Sequence, residues 1–518
     1  MRYYFQKAAI LIGVWGALLT LHAPFLRLPY YWDEAGYYIP AALDFFRRGL
    51  LIPTSTLPSG HTPLVMIYLA LAWQVFGFSP LVTRAAMLML AAATLLATAS
   101  LADVVFGERP TARAAVCVSA ALLALAPIYF AQSSSVFLDL PVALFTALAL
   151  VALLRERWAM FGAMASCAVL SKETAIILAP VAYLFLVVDA KRTQRSIPPS
   201  AWFWLTSPCL VLAAWASYYH HRTGFWTGNA TYLQYNLYST LDPVRILLCF
   251  ARRLHEVFIA GFNWIVAAAA LAAAWWTRKA MRLQKPTLIE RRFRLLTALL
   301  TAAYLLLLSA VGGAVLPRYT LPLYPPLIVL ALSYIWRLPQ RAAYACCLAA
   351  AVCFVGSWFL NPPYPFPFED NLAYADFIRL HQQGAQFLAS LPEQDSLEHN
   401  SSPRILTAWP ATNELETPDL GYVTQPLNVV PVEGFSAQDF ESVQPGSFDV
   451  LYSYSRKWEP PNNWLVRFPW LERLESRYFD YSPQMPEDKL QARFHLRRLA
   501  RWERRGQWVA IYQAEPSP

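Results

Sequence analysis

Tyr30-Tyr31-Trp32-Asp33-Glu34-Ala35-Gly36-Tyr37-Tyr38 stands directly after an apolar run, Ala8 to Leu28, which itself follows the basic start Met1-Arg2-Tyr3-Tyr4-Phe5-Gln6-Lys7. The run is long enough to cross a bilayer, so two adjacent carboxylates stand at a membrane face, where charge needs a reason. No small-residue cleavage site follows the run, which reads as a retained helix and not as a leader. Further apolar segments recur near 80–106, 112–128, 136–154, 158–171, 173–189, 200–217, 258–276, 294–312, 318–336 and 341–359, making about eleven transmembrane helices. With 57% hydrophobic and 14% charged residues, the chain reads as an α-helical polytopic membrane protein, and a wholly soluble domain is excluded. Thr62 to Phe76 is apolar but short for a crossing, and Pro63 opens it as a helix start; it reads as a helix lying along the membrane surface.

Positive charge tests that assignment. With residue 1 inside, the inner loops carry 18 Lys and Arg in 51 positions, against 9 in 93 for the outer loops, the asymmetry expected of basic loops held in the cytoplasm. Counting Thr62 to Phe76 as a crossing would reverse every later loop. Asp33, Asp139, Lys172, Glu173 and Arg318 then share the extracytoplasmic face. The expected location is the bacterial cytoplasmic (inner) membrane, with the N-terminus inside.

After Leu360 the character changes. Asn361-Pro362-Pro363-Tyr364-Pro365-Phe366-Pro367 is a stiff connector, and nothing beyond it can span. Residues 1–359 therefore form a transmembrane domain of net charge +16, and residues 360–518 an extracytoplasmic soluble domain of net charge −7. The overall +9 is a topology signal and no footprint for nucleic acid. Residues 404–409, 448–453 and 508–512 read as short strands, and helical patterns lie near 370–391 and 487–502, giving a small α/β domain. The seven cysteines all lie in or beside apolar segments, where packing is their expected role.

The chemistry concentrates on the outer face. Five aromatic residues flank Asp33-Glu34, including Trp32 and Tyr37, and suit an amphipathic cleft; capping of a following helix, Ala35 to Arg47, competes as an explanation of the acids. Asp139 lies at the mouth of another helix. Lys172-Glu173 interrupts an otherwise continuous apolar hairpin, and Arg318, followed by Tyr319, starts a span against the charge rule. Carboxylates and fixed cations over a hydrophobic floor suit transfer of a sugar from a polyprenyl phosphate. Lys172 and Arg318 would hold the leaving phosphate while a carboxylate such as Asp33 takes the acceptor hydroxyl's proton, an inverting displacement. A transporter or lipid flippase would instead place its charges near mid-membrane, and a non-catalytic scaffold would leave the outer acids dispensable.

The ordered set resembles the GT-C-fold membrane glycosyltransferases, being similar to protein O-mannosyltransferases and the lipid A aminoarabinose transferase. The matching pieces are Trp32-Asp33-Glu34-Ala35, Gly60-His61-Thr62-Pro63-Leu64, Phe76-Gly77-Phe78-Ser79-Pro80 with Arg84, Asp139, Ser171-Lys172-Glu173-Thr174 and Arg318-Tyr319-Thr320-Leu321-Pro322. The resemblance implies a hexosyl- or pentosyltransferase that uses a polyprenyl-phosphate sugar donor and a lipid or protein acceptor, among membrane lipids. It implies that Asp33 is the base, that Glu34 and Asp139 shape the same cleft, that Lys172 and Arg318 bind the donor phosphate, and that His61 lines the site. Some members of the group bind a divalent metal near such acids. Asp33, Glu34, Asp139 and His61 carry suitable oxygen and nitrogen donors, although the chemistry requires no cofactor.

Overall fold

An apolar run in lipid must satisfy its own backbone N–H and C=O groups, and only a helix does so within one segment. Each anticipated span contains one: Arg2–Leu21, Pro80–Phe106, Ala112–Leu125, Asp139–Leu154, Trp158–Ser171, Leu178–Thr193, Pro199–Thr223, Asn263–Lys279, Leu288–Ala310, Tyr324–Ile335 and Gln340–Ser357. This computed structural model describes residues 2–56, 60–107, 109, 112–279, 286–394, 402–460, 468–479 and 481–515. Five segments, Pro80–Phe106, Glu173–Thr193, Ala260–Arg278, Leu288–Ala310 and Gln340–Ser357, are long and apolar enough to cross a membrane by length and composition. Helix Leu64–Phe76 has 13 residues. At ~1.5 Å per residue it falls well short of a hydrocarbon core about 30 Å thick.

The chain forms two compact units, Met1–Pro24 with Ala42–Leu360, and Phe25–Ala41 with Asn361–Pro518. In the first, local chemistry sets helix boundaries. The Ser79 hydroxyl accepts the Val82 N–H at 3.3 Å with Pro80 at the first helical position. Thr287 and Glu290 form a capping box ahead of the Leu288–Ala310 helix. Small residues let backbones approach: Ala91 and Ala92 on the Pro80–Phe106 helix, and Ala143, Ala147 and Ala149 on the Asp139–Leu154 helix, are fully buried. Gly162 is a closer case, since a Cβ there would lie 2.6 Å from the Ser207 hydroxyl and 2.9 Å from the Trp204 carbonyl.

The second unit holds a five-stranded mixed sheet of order β2-β1-β3-β5-β4, with β1 Ile405–Ala408, β2 Val429–Val432, β3 Val450–Tyr454, β4 Leu496–Arg504 and β5 Gln507–Ala514. β1 runs parallel to β2 and β3, whereas β5 is antiparallel to β3 and β4. The expected strands at 404–409, 448–453 and 508–512 are β1, β3 and β5. The helical pattern at 487–502 is half wrong. A helix covers Glu487–Phe494, His495 ends it at φ 51°, and the chain then forms edge strand β4. Arg497, Arg498, Arg501 and Arg504 keep that edge charged, which blunts it against pairing with another chain but hides its period-two pattern.

Candidate active site

Asp139 begins its helix, and Lys172 sits where helix Trp158–Ser171 breaks into a 3-10 turn, Glu173–Ile177, with the Lys172 backbone extended at φ −160°. Both side chains are buried, and Lys172 Nζ donates to Asp139 Oδ1 at 2.7 Å. Arg318, only 1% exposed in the 3-10 segment Pro317–Leu323, brings Nε to 3.6 Å from Asp139 Oδ2. One carboxylate thus faces two cations. Their shared wall is aromatic: Lys172 Nζ lies 3.8 Å from the centroid of the Tyr319 ring, and the Arg318 guanidinium lies 4.1 Å from that of Phe137. Arg84, buried on the Pro80–Phe106 helix, donates to the Ser134 carbonyl at 3.1 Å and so braces the loop before Asp139.

A third cation belongs to the same cluster and was missed from the sequence. Arg253, fully buried in helix Pro243–Phe258, lies 5.5 Å from the Tyr319 ring. Its Nη1 donates to Glu256 Oε2 at 2.7 Å and to the Leu316 carbonyl at 2.6 Å, while among the described residues Nε and Nη2 have no hydrogen-bond acceptor. The signal was present. Arg252-Arg253 breaks the outer-face charge rule just as Arg318 does.

His61 and Glu173 pair with each other, His61 Nδ1 to Glu173 Oε2 at 3.0 Å. Thr62 donates its hydroxyl to the Val169 carbonyl at 2.8 Å and ties the His61 loop to the helix ending at Ser171. Gly60, at φ +74°, lies so close to Gly228 that a Cβ would meet its nitrogen at 2.3 Å.

The acid pair belongs to the second unit. Trp32 adopts φ 47°, a strained value for a bulky residue, and Glu34–Tyr38 forms a π-helix before helix Ile39–Arg48 begins. The expected helix from Ala35 is therefore delayed by one wide turn. Asp33 precedes this turn half-buried, and its side chain makes no capping hydrogen bond. Glu34 is fully buried and its Oε2 accepts the Tyr31 N–H at 2.8 Å, so it fastens its own loop. Trp409, which immediately follows β1, packs edge-on to Trp32 at 5.4 Å and lies 5.5 Å from Tyr37. Gly36 makes room for it, since a Cβ there would come within 2.4 Å of the indole nitrogen. Burial, and then the Asp33 carboxylate, push the Tyr37 phenol above its ordinary value. Among the described residues, no three His, Cys, Asp or Glu side chains form a group able to hold a metal ion.

Residues 60–220 match the family described as dolichyl-phosphate-mannose-protein mannosyltransferase. That stretch includes His61, Asp139, Lys172 and Glu173 and excludes Asp33 and Arg318. The structure resembles the crystal structure of ArnT from Cupriavidus metallidurans bound to undecaprenyl phosphate, with 13% identity over 98% of each chain and a TM-score of 0.56. The chain has the ArnT fold. The apo crystal structure of ArnT agrees, with 14% identity over 98% of this chain and 97% of that one and a TM-score of 0.53. At these identities the likeness to ArnT is one of fold, and it agrees with the GT-C-like helical architecture and small C-terminal sheet domain expected from the sequence. No curated protein sequence matches the chain.

Proposed function

We propose that this chain is an inverting glycosyltransferase that moves a hexosyl or pentosyl unit from a polyprenyl phosphate to an acceptor hydroxyl at the extracytoplasmic face. The observation that carries the reading is the buried cluster of Lys172, Arg318 and Arg253 around Tyr319, whose ion pairs among the described residues are with Asp139 and with Glu256, the latter shared with Arg252. Several buried cations drawn together favour an anion among them, and a lipid-linked phosphate brings one with an apolar tail for the bilayer. That the ArnT crystal structure contains undecaprenyl phosphate supports the same donor chemistry here. Asp139, Lys172 and Arg318 lie at helix ends and not at mid-helix, which favours an enzyme over a transporter.

Lys172, Arg318 and Arg253 hold the phosphate oxygens as negative charge develops on them. Asp139 keeps Lys172 in place by their 2.7 Å bond and so positions it. Asp33 takes the acceptor proton, the acceptor oxygen bonds the anomeric carbon, and the bond from that carbon to the phosphate oxygen breaks. Polyprenyl phosphate leaves, and the anomeric centre inverts. The test is to incubate purified protein with labelled polyprenyl-phosphate sugars and total envelope extract, then identify the labelled product. Transfer to lipid or protein that Asp33→Asn abolishes is the expected result; full transfer by that variant would remove Asp33 as the base.

A further inference from the structure

A second charge surplus lies at the other end of the same helices. Helix Leu288–Ala310 is about 34 Å long at ~1.5 Å per residue, and Arg294 sits in its second turn, far from the Arg318 cluster that follows its C-terminus. Arg109 Nη2 and Arg337 Nη2 both lie 3.0 Å from Oε2 of Glu290, whose side chain is wholly buried. The same oxygen accepts the Thr287 N–H at 3.0 Å. Arg294 shares the electrostatic neighbourhood of Arg109, Arg337 and Glu290, and its guanidinium lies 4.2 Å from the Tyr334 ring centroid. Its Nε and Nη2 have no hydrogen-bond acceptor, and among the described residues no carboxylate pairs with it.

Among the described residues, three guanidiniums thus meet one carboxylate between three apolar elements: the end of Pro80–Phe106, the start of Leu288–Ala310 and the end of Tyr324–Ile335. Arg109 remains 30% exposed, while Nε and Nη2 of Arg294 are buried, so the cluster is reached from the Arg109 side. Net positive charge beside hydrocarbon is costly unless an anion neutralises it. Basic pockets between transmembrane helices are where anionic headgroups bind.

We propose that Arg109, Arg294 and Arg337 form a binding site for the phosphate of an anionic phospholipid, with Tyr334 stacked beneath Arg294. The site is separate from the candidate active site and does not rest on the proposed reaction. Arg294 offers the cleanest test, because replacing it breaks no ion pair. Full-length protein in detergent is titrated with phosphatidylglycerol or phosphatidylcholine and bound lipid is counted by native mass spectrometry, with inorganic phosphate as a competing arm. Wild type should retain phosphatidylglycerol in preference to phosphatidylcholine. Arg294→Gln should lower that preference about fivefold, and Arg109→Gln, on a more exposed partner, by a similar factor. Arg291→Gln, an exposed arginine three residues earlier, should leave it unchanged. Equal retention of the two lipids, a preference that survives both Arg294→Gln and Arg109→Gln, or an equal loss in Arg291→Gln would overturn the site. Displacement of the lipid by millimolar inorganic phosphate would overturn the lipid in favour of a free anion.

Discussion

The Lys172–Asp139–Arg318 cluster and the Asp33 loop both carry acids, but they are built oppositely. In the first, every charge is buried and paired, both cations are backed by a ring, and the side chains are set by helix ends and 3-10 turns. In the second, one acid fastens the loop from inside while its neighbour is half-buried on a strained turn held by aromatic packing. The contrast suits the two proposed tasks. Holding a phosphate needs fixed positive charge that does not relax, whereas accepting a proton needs a carboxylate that a hydroxyl can reach.

Breaking the buried cluster should have the largest effect. Lys172→Ala leaves Asp139 buried beside Arg318 alone, and loss of one partner of such a pair costs about 3–5 kcal/mol. Transfer should fall at least ~100-fold, as for removal of a group that stabilises developing charge. Stability and chemistry separate in the double variant Lys172→Met/Asp139→Leu, which should regain much of the thermal midpoint and none of the transfer. Recovery of both would mean that the cluster is only structural.

The acid loop breaks differently. Asp33→Asn should lower transfer by about 10²–10⁴-fold, the range for a general base, and lower the thermal midpoint less than a change at a fully buried acid would. Glu34→Gln should do the reverse. It weakens the charge-assisted bond to the Tyr31 N–H, costs about 1–3 kcal/mol, and spares much of the turnover once folded. If the two variants behaved alike, the division of labour between the acids would be wrong.

Gly36→Ala probes the support of that loop. The added Cβ meets the Trp409 indole, and such overpacking costs about 1–3 kcal/mol. Thermal unfolding and kcat should both fall, and Gly36→Ala/Trp409→Phe, with its smaller ring, should restore part of each. No recovery in the double variant would detach Trp409 from the loop's geometry.

Legibility followed range along the chain. The helices were readable because each needs its own apolar run, and the Lys172-Glu173 break was readable because charge has no other reason to interrupt one. Asp139 was recognised as an acid at a helix mouth, but its bond to Lys172 spans 33 positions and needs the fold. Arg253 was hidden in an outer segment taken as a loop, where an amphipathic helix turns it inward. Gly36 beneath Trp409 joins residues hundreds of positions apart, and the π-turn after Asp33 has no periodic signature of its own. β4 was misread because long basic side chains on an edge strand blur the alternation that marks it.

The smallest effect should come from an ion pair in the C-terminal unit that copies the chemistry of Lys172–Asp139 without its burial. Arg404 Nη2 lies 2.8 Å from Asp449 Oδ1, with both side chains over 40% exposed. Water and salt screen such a pair, so Asp449→Asn should move the thermal midpoint of the full-length protein far less than Lys172→Ala does. Its pH dependence has a definite sign. The Arg404 side-chain hydrogen bond, against a smaller opposing push from burial, holds the Asp449 carboxyl below its ordinary value. The folded value therefore lies below the unfolded one, near 3.9. The stabilisation is complete above that unfolded value and disappears as pH falls through the lower folded one. Difference melts of wild type and Asp449→Asn should be flat from neutral pH to about 5 and should begin to close as pH falls below about 4. A difference as large as that of Lys172→Ala, or one unmoved by high salt, would show that burial is not what distinguishes the two pairs.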